Sequence, residues 1–147
     1  MKRSSTAVWH GSGKFGKGHI TSQSNAVNNA HYAWNTRYEN EKGANPEELL
    51  AAAHASCFTM KLSFLISDAG YQIEMLETTS TVTLEGSDLT ESHLSVKGKV
   101  TDMKKQTFEQ LAEKSKNECP VSKALKLKVT LETDLVDELI LDGEIKI

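Results

Sequence analysis

The longest apolar stretch of the chain begins after Asn45 and predicts one long helix that ends near Asp68. Asn45 can cap the first turn with its side-chain oxygen, and Pro46 suits the first helical position, where no amide hydrogen is needed. Gly70 offers a stop, since glycine readily takes the left-handed conformation that closes helices. Apolar side chains lie on nearly every face of this helix, which predicts that it is buried on most sides.

Shorter segments alternate apolar and polar residues, which is the pattern of half-buried β-strands. Three strands are predicted before the helix, and the third is rich in aromatic residues: 6–9, 19–24 and 31–38. Three more are predicted after it, and a turn at 85–88 joins the first two into a hairpin: 75–84, 93–100 and 126–135. The segment 136–147 carries further apolar residues and predicts either another strand or a contact with a partner.

A second helix is predicted near Thr107, whose side chain can form a capping box with Gln110. One face of this helix is largely apolar and ends at the second of the two cysteines in the chain; it carries Phe108, Leu111, Ala112, Ser115 and Cys119. Pro120 interrupts the helix at that point, and a further short helical turn is predicted over 121–125.

The strands and helices come in blocks rather than in alternation, which favours an α+β domain with antiparallel sheets over a doubly wound sheet. The 147 residues suit a single domain over 1–147. A helix that is apolar all round needs cover on every side, and one small sheet covers one side only. We therefore expect an obligate homodimer, and a fully covered monomer is the alternative.

Composition narrows the possible partners. The net charge of −3 gives no case for nucleic acid or an anionic membrane, and no apolar run reaches the ~18 residues of a membrane span. The basic and polar N-terminus lacks the apolar core of a secretory signal, so we expect a cytoplasmic location. The five histidines show no metal-ligand spacing with the cysteines, so neither a metal nor a bound cofactor is expected.

Taken singly, the chemically interesting residues have plain interpretations. A free cysteine such as Cys57, in the long helix, is usually a small buried hydrophobe. Arg37 alone would be a solvated strand residue, and Glu47 alone a first-turn carboxylate. His54 lies three residues before Cys57, and we interpret it as a packed or interface histidine rather than a base. The combination of residues changes these interpretations.

Four segments form a specific combination: Asn-Thr-Arg-Tyr-Glu at 35–39, Gly-Ala-Asn-Pro-Glu-Glu-Leu-Leu at 43–50, Ala-His-Ala-Ser-Cys-Phe at 53–58, and Cys-Pro-Val-Ser at 119–122. In this order they resemble the motifs of the osmotically inducible protein C (OsmC) family, a sister of the organic hydroperoxide resistance proteins. The resemblance implies an intertwined homodimer that reduces organic hydroperoxides, and hydrogen peroxide less well, at sites on the subunit interface. By motif position, Cys57 matches the peroxidatic cysteine, Cys119 the resolving cysteine, and Arg37 and Glu47 the family's catalytic arginine and glutamate.

These residue types suit the implied chemistry. Peroxide reduction needs a thiolate, and a thiol with a pKa near ~8.5 is mostly protonated at neutral pH. A guanidinium beside the sulfur favours the charged form, and Glu47 could aim Arg37 through a bidentate pair. Attack leaves a sulfenic acid on Cys57, Cys119 condenses with it to a disulfide, and an external dithiol, which the family implies to be lipoyl-bearing, reduces that disulfide. Phe58 and similar neighbours would favour bulky apolar peroxides.

One geometric tension leaves alternatives open. Ten residues along a straight helix rise about 15 Å, too far for Glu47 to approach its own Cys57 directly. The helix breaks between them, or Arg37 spans the gap, or the Arg37–Glu47 pair comes from the other subunit, which we favour. Two rival functions also fit the same fold: a redox sensor that forms the disulfide without turnover, and a non-catalytic ligand-binding dimer with inert cysteines.

Overall fold

A computed structural model of the protein describes residues 1–137, 139–141 and 144–146. The chain divides into two compact units, Met1–Leu49 and Leu50–Ile147. That the chain forms a single domain over 1–147 stays a prediction.

The first unit is built on a three-stranded antiparallel sheet. Its strands follow the order of the chain: β1 (Ser5–His10), β2 (Lys17–Ser22) and β3 (Ala30–Ala33). The strands predicted at 6–9 and 19–24 are confirmed to within two residues at each end.

A short helix, α1 (Trp34–Tyr38), replaces most of the strand predicted at 31–38. Thr36 turns the chain, because its Oγ1 accepts the Ala33 N–H at 2.9 Å and donates to the Ala33 carbonyl at 2.9 Å. Two of the three aromatic residues that favoured a strand, Trp34 and Tyr38, lie at the ends of α1, one helical turn apart, with ring centroids separated by 5.2 Å. Arg37 is therefore a helical residue and not a strand residue.

The long helix is confirmed as α2 (Pro46–Asp68). Its predicted cap is present, since the Glu48 N–H donates to Asn45 Oδ1 at 2.8 Å. Gly70 follows its last turn with φ +89°, in the left-handed region that suits a helix stop.

Within one chain, α2 is buried along a single stripe rather than on most sides. The stripe repeats every four residues: His54, Phe58, Leu62 and Ile66. Met60 and Phe64 keep 64% and 61% of their surface exposed. By length and composition α2 could also cross a membrane, but the core helices of globular proteins meet the same criteria. One chain therefore leaves an apolar face of α2 uncovered.

The second unit contains a sheet in the order β4-β5-β6. The predicted hairpin is confirmed as β4 (Ile73–Glu85) and β5 (Asp88–Val100), which turn at Gly86 with φ +63°. Strand β6 (Lys128–Leu135) pairs with β5 in parallel, whereas we expected antiparallel sheets. The parallel pairing arises because a long crossover returns the chain to the end of the sheet at which β5 began.

Two helices form this crossover, α3 (Lys105–Glu118) and α4 (Pro120–Ala124). The carbonyl of Lys104 already accepts the Phe108 N–H at 3.1 Å, so the capping box predicted at Thr107 is wrong. The predicted apolar face of α3 and the break at the proline after it are confirmed.

The core of the second unit lies where α2, α3 and β5 meet. Its buried apolar residues are Phe58, Leu62, Ile66, Leu94, Val96, Val100, Met103, Phe108, Ala112 and Cys119. Gly98 makes room for the Phe108 ring, because a Cβ at Gly98 would lie 2.5 Å from a ring carbon.

The segment predicted to be a strand or a partner contact contains two short strands. They are β7 (Leu139–Leu141) and β8 (Glu144–Lys146), paired antiparallel. Residues 138, 142, 143 and 147 of this segment lie outside the described residues.

Candidate active site

Two free thiols, Cys57 and Cys119, lie in the second unit. Cys57 is half-buried on α2, and Cys119 is fully buried between α3 and α4. The backbone at Cys119 leaves the helical conformation (φ −59°, ψ 124°) because Pro120 follows it. The side chain of Phe58 is completely buried in the core, so it does not line a peroxide pocket as we expected.

A buried hydrogen bond fixes the position of α3 on α2 beside the cysteines. The hydroxyl of Ser115, which is fully buried, donates to the Phe58 carbonyl at 2.8 Å. The Ser115 carbonyl in turn accepts the Cys119 N–H at 2.9 Å. Because Phe58 directly follows Cys57, these bonds bring the two thiols near each other, and Cys57 packs against the core cluster that contains Cys119.

The groups around Cys57 in this unit favour the neutral thiol. Burial raises the pKa of Cys57, and the neighbouring Cys119 raises it further. The backbone amide of Val121, in α4, lowers the pKa of Cys57 without reversing the net direction. A thiolate at neutral pH therefore needs an additional positive charge beside the sulfur.

His54 lies on α2 three residues before Cys57 and is fully buried. Its Nδ1 lies 2.6 Å from Ser92 Oγ, and its Nε2 lies 2.7 Å from Ser122 Oγ. Burial lowers the pKa of His54, so the ring is neutral, with one nitrogen donating and the other accepting. The prediction of a packed histidine is confirmed.

In the first unit, Arg37 of α1 and Glu47 of α2 form an ion pair. Arg37 Nε and Nη2 donate to the same oxygen, Glu47 Oε1, at 3.0 and 2.7 Å. The pair is therefore not the parallel bidentate arrangement that we expected. Its hydrogen bond to Glu47 raises the pKa of Arg37. Within the described residues Nη1 makes no hydrogen bond, which leaves one edge of the guanidinium available as a donor.

The structure thus groups the four predicted residues into two pairs, one in each unit. Cys57 lies with Cys119, and Arg37 lies with Glu47. Helix α2 is unbroken, so the alternative in which it breaks between Glu47 and Cys57 is wrong.

Sequence reasoning did not assign Ser92, Ser115 and Ser122 to the site. Ser115 was already placed on the apolar face of α3, and a polar side chain at a core position indicates a buried hydrogen bond. Ser122 ends the Cys-Pro-Val-Ser motif, whose last residue we left without a role. Ser92 lies one residue before the strand predicted at 93–100, so its inward orientation was missed.

An apolar groove lies beside the exposed face of α2, against β4. Among its lining residues are Ala52, Ser56, Met60, Ser63, Met75 and Leu76. Within the described part of the chain, no group of three or more His, Cys, Asp or Glu side chains is placed to hold a metal ion.

Two free cysteines lie near each other on packed helices of an α+β fold, which is the arrangement that a dithiol site requires. The chain belongs to the family of OsmC-like proteins, whose family profile matches residues 39–134, more than half of its length. The family predicted from the sequence is thereby confirmed.

Two curated relatives carry informative names. The chain is 41% identical over 133 residues to peroxiredoxin OsmC of Escherichia coli (strain K12), covering 88% of this chain and 93% of that protein. It is 33% identical over 103 residues to organic hydroperoxide resistance protein-like 1 of Staphylococcus saprophyticus, covering 66% of this chain and 73% of that protein.

Solved structures share the fold. An OsmC-like protein from Mycoplasma pneumoniae superposes with a TM-score of 0.74 at 16% identity, covering 92% of this chain and 98% of that one. The organic hydroperoxide resistance protein OhrB of Bacillus subtilis gives 0.61 at 22% identity, covering 90% and 98%. The predicted OsmC-like α+β fold is confirmed.

Proposed function

We propose that this protein reduces organic hydroperoxides to alcohols, with Cys57 as the attacking thiolate and Cys119 as the resolving thiol. The observation that carries the proposal is the placement of two free thiols near each other, with Cys57 packed against the core cluster that contains Cys119, in a member of the OsmC-like family. The predicted enzyme class, a thiol-dependent peroxidase, is confirmed by the 41% identical relative that is named a peroxiredoxin. The name of the second relative supports a role in resistance to organic hydroperoxides.

In the first step, the Cys57 thiolate attacks one oxygen of the peroxide. The O–O bond breaks, the sulfur keeps one oxygen as a sulfenic acid, and the other oxygen leaves and takes up a proton to become the alcohol. The sulfur is oxidised by two electrons and the peroxide is reduced by two. Hydrogen peroxide would release water in the same step, and we expect it to react less well.

In the second step, the Cys119 thiol attacks the sulfenic sulfur. An S–S bond forms, and the sulfenic oxygen leaves as water. The nearness of Cys119 to Cys57 supports this assignment, because Cys57 packs against the core cluster that contains Cys119. An external dithiol, which we expect to be of the lipoyl type, then reduces the disulfide by two exchanges and becomes a disulfide itself.

In this proposal Arg37, aimed by Glu47, activates Cys57 of the partner subunit. Its guanidinium charge would lower the pKa of that thiol, and its Nη1 edge would donate to the peroxide. The raised pKa of Cys57 supports the need for such a cation, since the groups of its own unit favour the thiol.

A homodimer would supply the second subunit. The uncovered apolar face of α2, with Met60, Phe64 and the groove beside them, supports this prediction. Sedimentation at micromolar concentration should give twice the chain mass of 16.2 kDa, and a monomer would contradict the dimer.

One observation favours a second candidate function. A thiol with a raised pKa reacts slowly with peroxides, as expected for a ligand-binding dimer with inert cysteines; the other rival is the redox sensor. The sensor would form the disulfide once without turnover, and the binding protein would keep both thiols.

The test adds one equivalent of cumene hydroperoxide to the reduced protein and follows intact mass and free thiols. We expect rapid loss of both thiols and of two hydrogens, which Cys57→Ser should abolish. Cys119→Ser should instead gain oxygen at Cys57. Repeated turnover with dihydrolipoamide would separate an enzyme from a sensor, and thiols unchanged after minutes would refute the proposed function.

A further inference from the structure

Among the side chains of the short helix α4, Val121 packs against the core. The helix has five residues, none of them fully buried, and a helix of this length is unstable alone. Its first residue, Pro120, directly follows Cys119, and its Val121 amide favours the Cys57 thiolate. Whatever holds α4 therefore also determines where Cys119 lies relative to Cys57.

One side-chain hydrogen bond ties α4 to α2. His54 Nε2 lies 2.7 Å from Ser122 Oγ, and within the described residues no other side chain of α4 makes a hydrogen bond. Since His54 and Cys57 lie one turn apart on the same rigid helix, the bond holds α4 near the level of Cys57.

The imidazole itself is held from the other side by the sheet. His54 Nδ1 lies 2.6 Å from Ser92 Oγ on β5, and Ser92 Oγ lies 3.0 Å from Ser80 Oγ on β4. Ser92 and His54 are both fully buried. Because both ring nitrogens have partners, the ring has one orientation, and the polar chain runs from the sheet through α2 to α4.

We propose that His54 is a positioning residue for disulfide closure and acts through Ser122 to hold Cys119 against Cys57. The inference deepens the proposed peroxidase function and rests on it for the reaction with peroxide. Each nitrogen of His54 is engaged by a serine hydroxyl, so the imidazole acts by orientation and not as a base for Cys57.

The sulfenic acid on Cys57 has two competing fates. Attack by Cys119 gives the disulfide and water, whereas a second peroxide molecule gives a sulfinic acid and a second alcohol. A loosened α4 lowers the effective concentration of Cys119, so a larger fraction of Cys57 is overoxidised. This product ratio reports the placement of Cys119 and does not depend on the amount of folded protein.

Ser122→Ala is the variant that tests the inference, and Ser92→Ala is its matched control. Ser122→Ala removes the hydrogen bond between His54 and α4. Ser92→Ala removes the hydrogen bond at the other nitrogen of the same imidazole. The peroxide concentration that overoxidises half of Cys57 should fall about fivefold in Ser122→Ala, the effect of losing one hydrogen bond, and should fall less in Ser92→Ala, which keeps the bond between His54 and α4. His54→Gln, which keeps an amide near the position of Nε2, should lie closer to wild type than His54→Leu.

A second readout needs no peroxide. The Cys57 thiolate attacks dithiobis-nitrobenzoate and releases one thionitrobenzoate, and Cys119 then displaces the second as the disulfide closes. The rate of the second release should fall about fivefold in Ser122→Ala and should fall less in Ser92→Ala.

The two readouts separate the inference from the proposed function. If the wild-type protein does not react with peroxide but Ser122→Ala still slows the second release, the proposed function fails and the positioning role stands. The inference would be overturned if the wild type and Ser122→Ala released the second thionitrobenzoate at equal rates. It would also be overturned if Ser122→Ala and Ser92→Ala slowed this release equally.

Discussion

The Cys57 sulfur lies among groups with opposing effects on its charge. Burial and Cys119 raise the pKa of Cys57, and the Val121 amide lowers it. Only the thiolate attacks a peroxide, and its fraction falls about tenfold for each pH unit below the pKa. A raised pKa therefore moves the onset of reactivity to higher pH, and activation at neutral pH requires an added cation.

Replacing Cys119 with alanine should lower the pKa of Cys57. The substitution removes the thiol that raises this pKa and leaves the Val121 amide in place. The rate of alkylation by iodoacetamide, plotted against pH, should therefore rise at lower pH than in the wild type. Cys57→Ser serves as the control that identifies the reacting thiol. A profile that stays in place or moves to higher pH would contradict the assigned cause.

The sequence identified the two cysteines but not the groups that control them. The partners of His54 lie 38 and 68 positions away, and the bond between Ser115 and Phe58 spans 57 positions. Contacts at such separations depend on how the helices and the sheet pack, and no local pattern encodes them.

The ends of the long helix were predicted correctly because local chemistry decides them. The cap at Asn45 and the stop at Gly70 bound α2 as expected, because each acts within one turn of the helix end. The strand predicted at 31–38 failed because the Thr36 hydroxyl bonds the backbone three residues earlier and starts a helix. The direction of β6 depends on the path of the whole crossover. The alternation of apolar and polar residues along a strand does not reveal that path.

Gly98→Ala should destabilise the packing of α3 on β5. The new Cβ would lie 2.5 Å from the Phe108 ring, and overpacking of a core typically costs about 1–3 kcal/mol. The urea concentration at the midpoint of unfolding should fall in proportion to this loss of free energy. Gly13→Ala is the control, since a Cβ there would meet nothing within 4 Å. Equal midpoints for the two variants would show that the ring moves aside without cost.

Two features of one chain lack a counterpart that a second copy of the chain would supply. One is the uncovered apolar face of α2, and the other is the Arg37–Glu47 pair, which lies in the unit without the cysteines. The sequence predicted a dimer from the first feature, because one small sheet cannot cover a helix that is apolar on every side, and the family resemblance implied a dimer as well. A single dimer interface that covers α2 and brings Arg37 to Cys57 of the partner subunit would account for both.

Subunit exchange between two inactive variants tests this arrangement. Arg37→Met keeps the thiol and loses the guanidinium, and Cys57→Ser does the reverse. If Arg37 serves the partner subunit, each mixed dimer contains one complete site, so an equimolar mixture should recover about a quarter of wild-type peroxidase activity. If Arg37 serves its own chain, no mixed dimer is complete and the mixture stays inactive. Arg37→Met mixed with the double variant Arg37→Met, Cys57→Ser should stay inactive in either case, because neither chain then supplies a guanidinium.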